Sequence, residues 1–343
     1  MLAYLVRRVL WAGVLFLAIT AVTYILFFVL PVQRQQTVRR TEFAATDVRQ
    51  DLNIHGPVYR EYAQFLERIT LHGDLGRSFV NRERVNQILY GAAPVTAWLV
   101  LGGAVLWLLV ALPVGILSAL RPRSLLDRLT MAAVLIGISA HPLWIGLMLS
   151  YFLGFKLHAL PIGGYCDLVD PATSCGGPAQ WAYHMILPWL TFTILFAALY
   201  VRMVRANVLE TLDADYVQTA RAKGAPAWRV LRSHVLRNAL LPLVTMLGMD
   251  MGVAFGGAVF VETIFGLPGL GQTAVSALRR QDLPVIMGVV VWTTFAILFF
   301  NLLVDLLYAW LDPRVRVVTP SGRRAASLRA QPARPDSEPA VQP

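Results

Sequence analysis

The sequence predicts an all-α membrane protein of six transmembrane helices with both termini in the cytoplasm. Three observations carry this. Apolar residues make up 57% of the 343, charged residues only 15%, and the mean hydropathy is +0.58, whereas a globular chain is nearer half apolar and a quarter charged. Six stretches free or nearly free of charge each hold the roughly 20 apolar residues a spanning helix needs. The basic residues gather in alternate connecting segments, which sets an orientation. The two soluble domains that length alone would suggest are overruled by this composition.

The first charge-free stretch is 9–32, after Arg7 and Arg8. Signal-peptide apolar regions run about 7–15 residues and end at a small-residue cleavage site. This one is longer, and Phe27-Phe28-Val29-Leu30-Pro31 offers no such site. The reading is an uncleaved signal anchor. Segment 33–93 is polar, but Val58, Tyr62, Phe65, Leu66 and Ile69 recur at helical spacing, which predicts a small folded extracytoplasmic cap. The second stretch is 85–120, its apolar part beginning after Pro94; the third is 129–155; the fourth is 171–201, apolar from Tyr183. The fifth, 238–261, is interrupted only by Asp250, and the sixth, 283–311, only by Asp305. Residues 312–343 form a tail. From about 317 it is rich in Pro, Arg, Ala and Ser without apolar periodicity, which predicts disorder. The chain thus divides into a first helix to residue 32, the outer segment 33–93, a core 94–311 with five spans and a cytoplasmic loop 202–240, and the tail. No internal repeat of the kind found in many secondary transporters is visible.

With the N-terminus inside, segments 1–8, 121–128, 202–237 and 312–343 are cytoplasmic and hold 18 of the 30 basic residues. The short outer loops, 156–182 and 262–282, hold only Lys156, Arg279 and Arg280. Segment 33–93 has nine Arg, but long segments translocate largely regardless of charge. The net charge of +10 is therefore mainly topology and does not indicate nucleic acid; only Lys156 and Lys223 are lysines. Cys166 and Cys175, the two cysteines of the chain, fall in the outer loop between the third and fourth spans. An oxidising compartment lets a disulfide persist there, closing a loop worth about 2–3 kcal/mol at most; two separate thiols are the alternative. Metal binding is disfavoured, with no His nearby at ligand spacing.

Catalytic signatures are missing. Neither lysine follows a glycine, so there is no Gly-Lys-Ser/Thr phosphate loop. The six histidines have no metalloprotease spacing, and no Gly-x-Ser-x-Gly elbow occurs. The chain is expected to bind no cofactor or metal, and its energy source must be a partner or an ion gradient. A gradient-driven carrier would use buried ionisable groups. Only Asp250 sits near mid-span, where a carboxylate costs roughly 2.5–3.5 kcal/mol on insertion scales. It must face the bundle interior or a watery path, either tying helices together or lining translocation.

The stretch from Asp213 to Pro226 is rich in helix-end chemistry. Asp213 or Asp215 suits an N-cap, and Arg221 and Lys223 fall in the last turn, where the helix dipole favours cations. Gly224 stands where a residue of positive φ belongs, and Pro226 bars continuation and suits the start of a second helix, 228–236. Tyr216, Val217 and Ala220 share one face. Two short helices with a sharp turn, held under the membrane, form a docking surface.

This segment resembles the cytoplasmic signature of binding-protein-dependent ABC importer permeases, Glu-Ala-Ala, three residues, Gly, then a later Leu-Pro. Here it reads Gln218-Thr219-Ala220, Gly224, and Leu241-Pro242, with Gln218 and Thr219 departing from the pattern. The stretch Asp215-Tyr216-Val217-Gln218-Thr219-Ala220-Arg221-Ala222-Lys223-Gly224 is similar to the dipeptide/oligopeptide/nickel branch. So are Gly73-Asp74-Leu75-Gly76-Arg77-Ser78, the run from Val261 to Gly271, the run from Asn301 to Tyr308, and Leu311-Asp312-Pro313-Arg314. Pro31-Val32-Gln33-Arg34 departs from the usual Pro-Gly-Asp-Pro.

The resemblance implies a type I ABC importer permease fold in the bacterial cytoplasmic (inner) membrane, as the B-type subunit. Its implied partners are a C-type permease, two cytoplasmic ATPase subunits that use ATP and Mg, and an extracytoplasmic solute-binding protein. Asp215, Tyr216, Gln218, Thr219, Ala220, Lys223, Gly224 and Pro242 are the implied ATPase-coupling positions. Asp305, present in the family pattern whatever the cargo, is expected to be structural. Di- or oligopeptides are the implied cargo, with nickel chelates, other small solutes and a proton-coupled carrier as alternatives.

Overall fold

The structure, a computed structural model, describes residues 2–26, 58–168 and 175–311. The corner at Pro31, the part of the expected cap at 33–57 and the tail from 312 lie outside these residues. Most of the described residues are helical and form α1 (Leu2–Tyr24), α2 (Val58–His72), α3 (Val85–Leu120), α4 (Leu125–Ser139), α5 (Pro142–Leu149), α6 (Pro178–Leu212), α7 (Asp215–Ala222), α8 (Ala227–Val230), α9 (Arg237–Ala239), α10 (Leu241–Phe265), α11 (Leu270–Arg280) and α12 (Leu283–Leu311). Helix α5 runs on into a π-helical stretch, Ser150–Lys156, and a second such stretch, Leu231–Leu236, joins α8 to α9.

Five helices are long and apolar enough to cross a membrane, and α4 with α5 makes a sixth crossing only as a pair bent by 108°. The third charge-free stretch is thus a broken helix, where the sequence reading has one continuous span. Pro142 disfavours helical backbone at the residue before it, and His141 is extended at φ −76, ψ 142. A count of uncharged residues is blind to that break. Two boundaries also differ. Helix α3 begins at Val85 and runs through Pro94, so the division at 93/94 falls inside a helix. Helix α6 continues past Arg202 and Arg205 to Leu212, so the loop proper starts later than 202.

The core lies between α3 and α6, whose contact is the most extensive in the molecule. Trp107, fully buried, stacks on Phe196 with ring centroids 4.5 Å apart. The backbones approach closely because small residues face the partner helix: a Cβ on Gly102 would lie 2.3 Å from the Trp189 ring. Helices α10 and α12 pack beside this pair, and α1 leans on α12. Helix α2 of the outer segment packs on α1: the Tyr62 hydroxyl donates to Leu17 O at 2.9 Å, and Tyr24 meets the Tyr62 and Phe65 rings at 5.6 and 5.7 Å.

Candidate functional site

The segment after α6 is built as two short helices. Its N-cap differs from expectation: Ala214 occupies the position, without a side-chain hydrogen bond, and Asp215 lies in the first turn. Asp215 there still places a negative charge near the free N–H groups, where the dipole favours it. The Gln218 amide donates to Asp213 O at 3.1 Å and the Thr219 hydroxyl to Asp215 O at 2.9 Å, so both side chains brace the start of α7. At the other end Gly224 has φ +79, its N–H bonds Arg221 O at 2.9 Å, and Ala225 N–H bonds Ala220 O at 3.2 Å. Positive φ suits Gly because a Cβ in that conformation costs roughly 1–2 kcal/mol. Pro226 then starts the second helix.

The pair is seated firmly. Val217, Val230 and Val235 are buried, Asn207 Nδ2 donates to Ala239 O at 3.2 Å, and Asn238 Nδ2 donates to Tyr216 Oη at 3.0 Å. The other side is open: Asp215, Gln218, Thr219, Lys223 and Gly224 are exposed, and Ala220 is half-buried. A Cβ on Gly224 would meet no atom within 4 Å. Pro242 is exposed but belongs to the first turn of α10. Sequence reading does not single out Trp228, which is 67% exposed near the start of the second helix. An indole in a polar loop was the available signal.

Four polar ties organise the described part of the bundle. At the end bearing this segment, Arg205 on α6 grips Asp127 on α4 with both carboxylate oxygens, Nε at 2.6 Å and Nη2 at 2.8 Å. Ser118 donates to the same carboxylate, as does Arg123 N–H at 2.9 Å, so the turn between α3 and α4 is fixed to α6. Asp305 on α12 pairs with Arg8 on α1, a structural role for the second intramembrane carboxylate. At the opposite end, the carboxylate of Glu262, fully buried, accepts from the Thr96 hydroxyl at 2.6 Å and from Gln272 N–H at 2.9 Å, while Leu270 N–H bonds Thr96 Oγ1 at 2.8 Å. Asp282, just past α11, accepts from the Ser78 hydroxyl and from Phe79 N–H at 3.1 Å. The motif stretches 73–78 and 261–271 are therefore linked through α11 and Asp282. The buried carboxylates Asp127, Glu262 and Asp282 carry three of these ties; nearby arginines in sequence, such as Arg128 beside Asp127 and Arg280 before Asp282, do not point to the actual partners.

Asp250 stands apart from the loop residues, mid-way along α10. It is half-buried, with its carboxyl group beside the Tyr200 hydroxyl of α6. Cys166 and Cys175 are disulfide-bonded, their Cα atoms 5.4 Å apart, with His184 Nδ1 3.4 Å from Cys166 Sγ.

Residues 111–317 match the family described as binding-protein-dependent transport system inner membrane component, and residues 1–100 match the N-terminal part of such components. The chain belongs to this family. It is a multi-pass permease component of the cytoplasmic membrane. The permease is 34% identical over 330 residues to the probable D,D-dipeptide transport system permease protein DdpB of Escherichia coli K12, covering 91% of this chain and 97% of that one. It is 34% identical over 319 residues to the oligopeptide transport system permease protein AppB of Bacillus subtilis 168, covering 92% and 99%. The dipeptide transport system permease protein DppB of E. coli K12 is 35% identical over 283 residues, 78% of this chain and 83% of that one. Among solved structures, the inward-facing MetNI methionine ABC transporter matches with a TM-score of 0.53 at 19% identity, over 66% of this permease and 97% of that chain. That likeness is one of fold.

Proposed function

We propose that this permease works in an ATP-driven importer of di- or oligopeptides, and that the segment from Asp215 to Leu236 is where a cytoplasmic ATPase drives it. The observation that carries the reading is the build of that segment. It is a rigid, capped pair of short helices, seated on α6 by three buried valines, with an open polar face and an exposed Trp228. A slack connector would dissipate movement of a partner; a seated one passes it to α6 and, through Arg205 and Asp127, to α4. The basic end of the bundle lies in the cytoplasm on this reading. ATP and Mg are bound by the partner ATPases, and ATP shifts the equilibrium only by its differential affinity for the two states. A C-type permease completes the passage, and a solute-binding protein delivers cargo from outside. Relatives named as dipeptide and oligopeptide permeases favour peptides over nickel chelates or sugars. Asp250 is assigned to the translocation path, a role its half-buried position mid-way along α10 supports.

The test is uptake of a labelled dipeptide by the complete transporter in proteoliposomes. Uptake should need ATP and loaded binding protein, stop with vanadate, and survive dissipation of the proton gradient. The reverse pattern would establish a proton-coupled carrier instead.

A further inference from the structure

The broken third crossing leaves polar backbone deep in the bundle. The 15 residues of α4 rise about 22 Å from the basic end, still inside a hydrocarbon layer about 30 Å thick. At the break, the carbonyl of Ile138 would take its helical hydrogen bond from residue 142, which is proline and has no N–H. The carbonyl of Ser139 would take its own from Leu143, whose N–H goes instead to His141 Nδ1 at 3.2 Å. Two backbone acceptors thus have no helical donor. Because Nδ1 accepts, the neutral ring carries its proton on Nε2. His141 is exposed, and its ring is held edge-to-face on Phe260 of α10 with centroids 5.6 Å apart. His141 lines an open cleft of about 650 Å3 together with Leu135, Ile136, Ser139, Ala140 and Trp144. Ile145 and Gly146, behind, are buried and anchor α5.

Non-helical backbone at this depth persists only where protein buries it or where it lines a watery cavity. A lipid chain offers neither donors nor acceptors. A helix of a second permease has its own backbone groups already paired. An extended peptide carries both N–H and C=O groups, together with side chains for an apolar wall. We propose that this cleft is a cargo subsite: His141 Nε2–H donates to a carbonyl or terminal carboxylate of the passing peptide, the Ile138 and Ser139 carbonyls accept from its N–H groups, and Trp144 and Ile136 receive an apolar side chain. The proposal rests on the peptide-importer reading above.

Both cysteines of the chain are in the disulfide, so Ser139→Cys gives this subunit one reactive thiol. In the complete transporter in proteoliposomes, a charged, water-soluble thiosulfonate should label it, read by mass on this subunit. A saturating transported dipeptide with its binding protein should slow labelling at least about fivefold, because a bound peptide shields the thiol for most of the time. Should Ser139→Cys fail to assemble, Ile136→Cys, 70% exposed in the same cleft, takes its place. No labelling would mean that lipid or the second permease covers the cleft, and labelling without protection would mean a cavity that cargo does not occupy. Either result overturns the subsite. A complementary measurement uses His141→Met, which should raise the KM for uptake about five- to tenfold. His141→Gln, which keeps a donor at similar reach, should stay within about twofold. Neither replacement is a good N-cap, so loss of the cap alone would move both alike and overturn the assignment. Uptake of no peptide by the unmodified transporter would instead remove the peptide reading, whereas uptake without protection removes only the subsite.

Discussion

The buried carboxylate of Glu262 holds the Thr96 hydroxyl at 2.6 Å, tying α10 to α3 at the end of the bundle away from the short helices 215–236. The same carboxylate receives Gln272 N–H at 2.9 Å, so it also caps α11. A carboxylate fully out of water persists only when hydrogen bonds replace its solvation, and here three elements supply or share them. The motif around it is explained by this packing. Gly266 at φ +63 turns the chain out of α10, and Gly269 and Gly271 let α11 approach.

Gly271→Ala should destabilise the permease more than Gly266→Ala. A Cβ on Gly271 would lie 2.4 Å from the Val259 Cα, a backbone atom that cannot swing aside. Overpacking of this kind costs about 1–3 kcal/mol. At Gly266 the space is open and only the positive φ opposes a side chain, a cost nearer 1 kcal/mol. Thermal melting of both variants in detergent checks the order; equal melting temperatures would show that the close approach is not maintained.

The pair Asp127 and Arg205 should behave as a unit. Their side chains are 6% and 25% exposed, and removing one partner of such a pair typically costs about 3–5 kcal/mol because the other charge is stranded. Asp127→Asn and Arg205→Gln should each lower the melting temperature, and the double variant should lose less than the two single losses combined. Additive losses would mean that the two charges act separately.

Gly224→Asp tests the coupling segment. The spanning helices should still insert, because a Cβ at 224 meets no atom within 4 Å among the described residues. The left-handed turn would be strained by roughly 1–2 kcal/mol, and the carboxylate would intrude into any groove that receives the turn. Uptake should fall by more than tenfold, with the ATPase subunits co-purifying poorly or hydrolysing ATP without transport. Normal uptake would show that this segment is not the coupling element.

Asp250→Asn removes a charge while keeping the size of the side chain. For a residue on the path, uptake should fall while assembly and basal ATP hydrolysis stay largely intact. Failure to assemble would mean that Asp250 ties α10 to Tyr200 of α6, and unchanged uptake would exclude the path role.

The sequence by itself determined where the membrane crossings lie, because a spanning helix must be continuously apolar and charge is excluded from it. It also determined the turn at Gly224 and the helix start at Pro226, because positive φ and a fixed φ are local properties of glycine and proline. The family was legible in the run from Asp215 to Gly224 for the same reason: its pattern is a string of adjacent residues. Only the tertiary structure decided which helix pairs with which charge. Asp127 and Arg205 are 78 residues apart and Arg8 and Asp305 are 297 apart, and nothing local in either sequence neighbourhood names the partner. It likewise decided that the third crossing is broken. Pro142 permits either a kink within one span or a full bend; the 108° bend accompanies the packing of α5 against α6 and α10. Local chemistry writes helix ends into the chain; burial of one element against another chooses the angles and the charge partners, and that depends on all the elements at once.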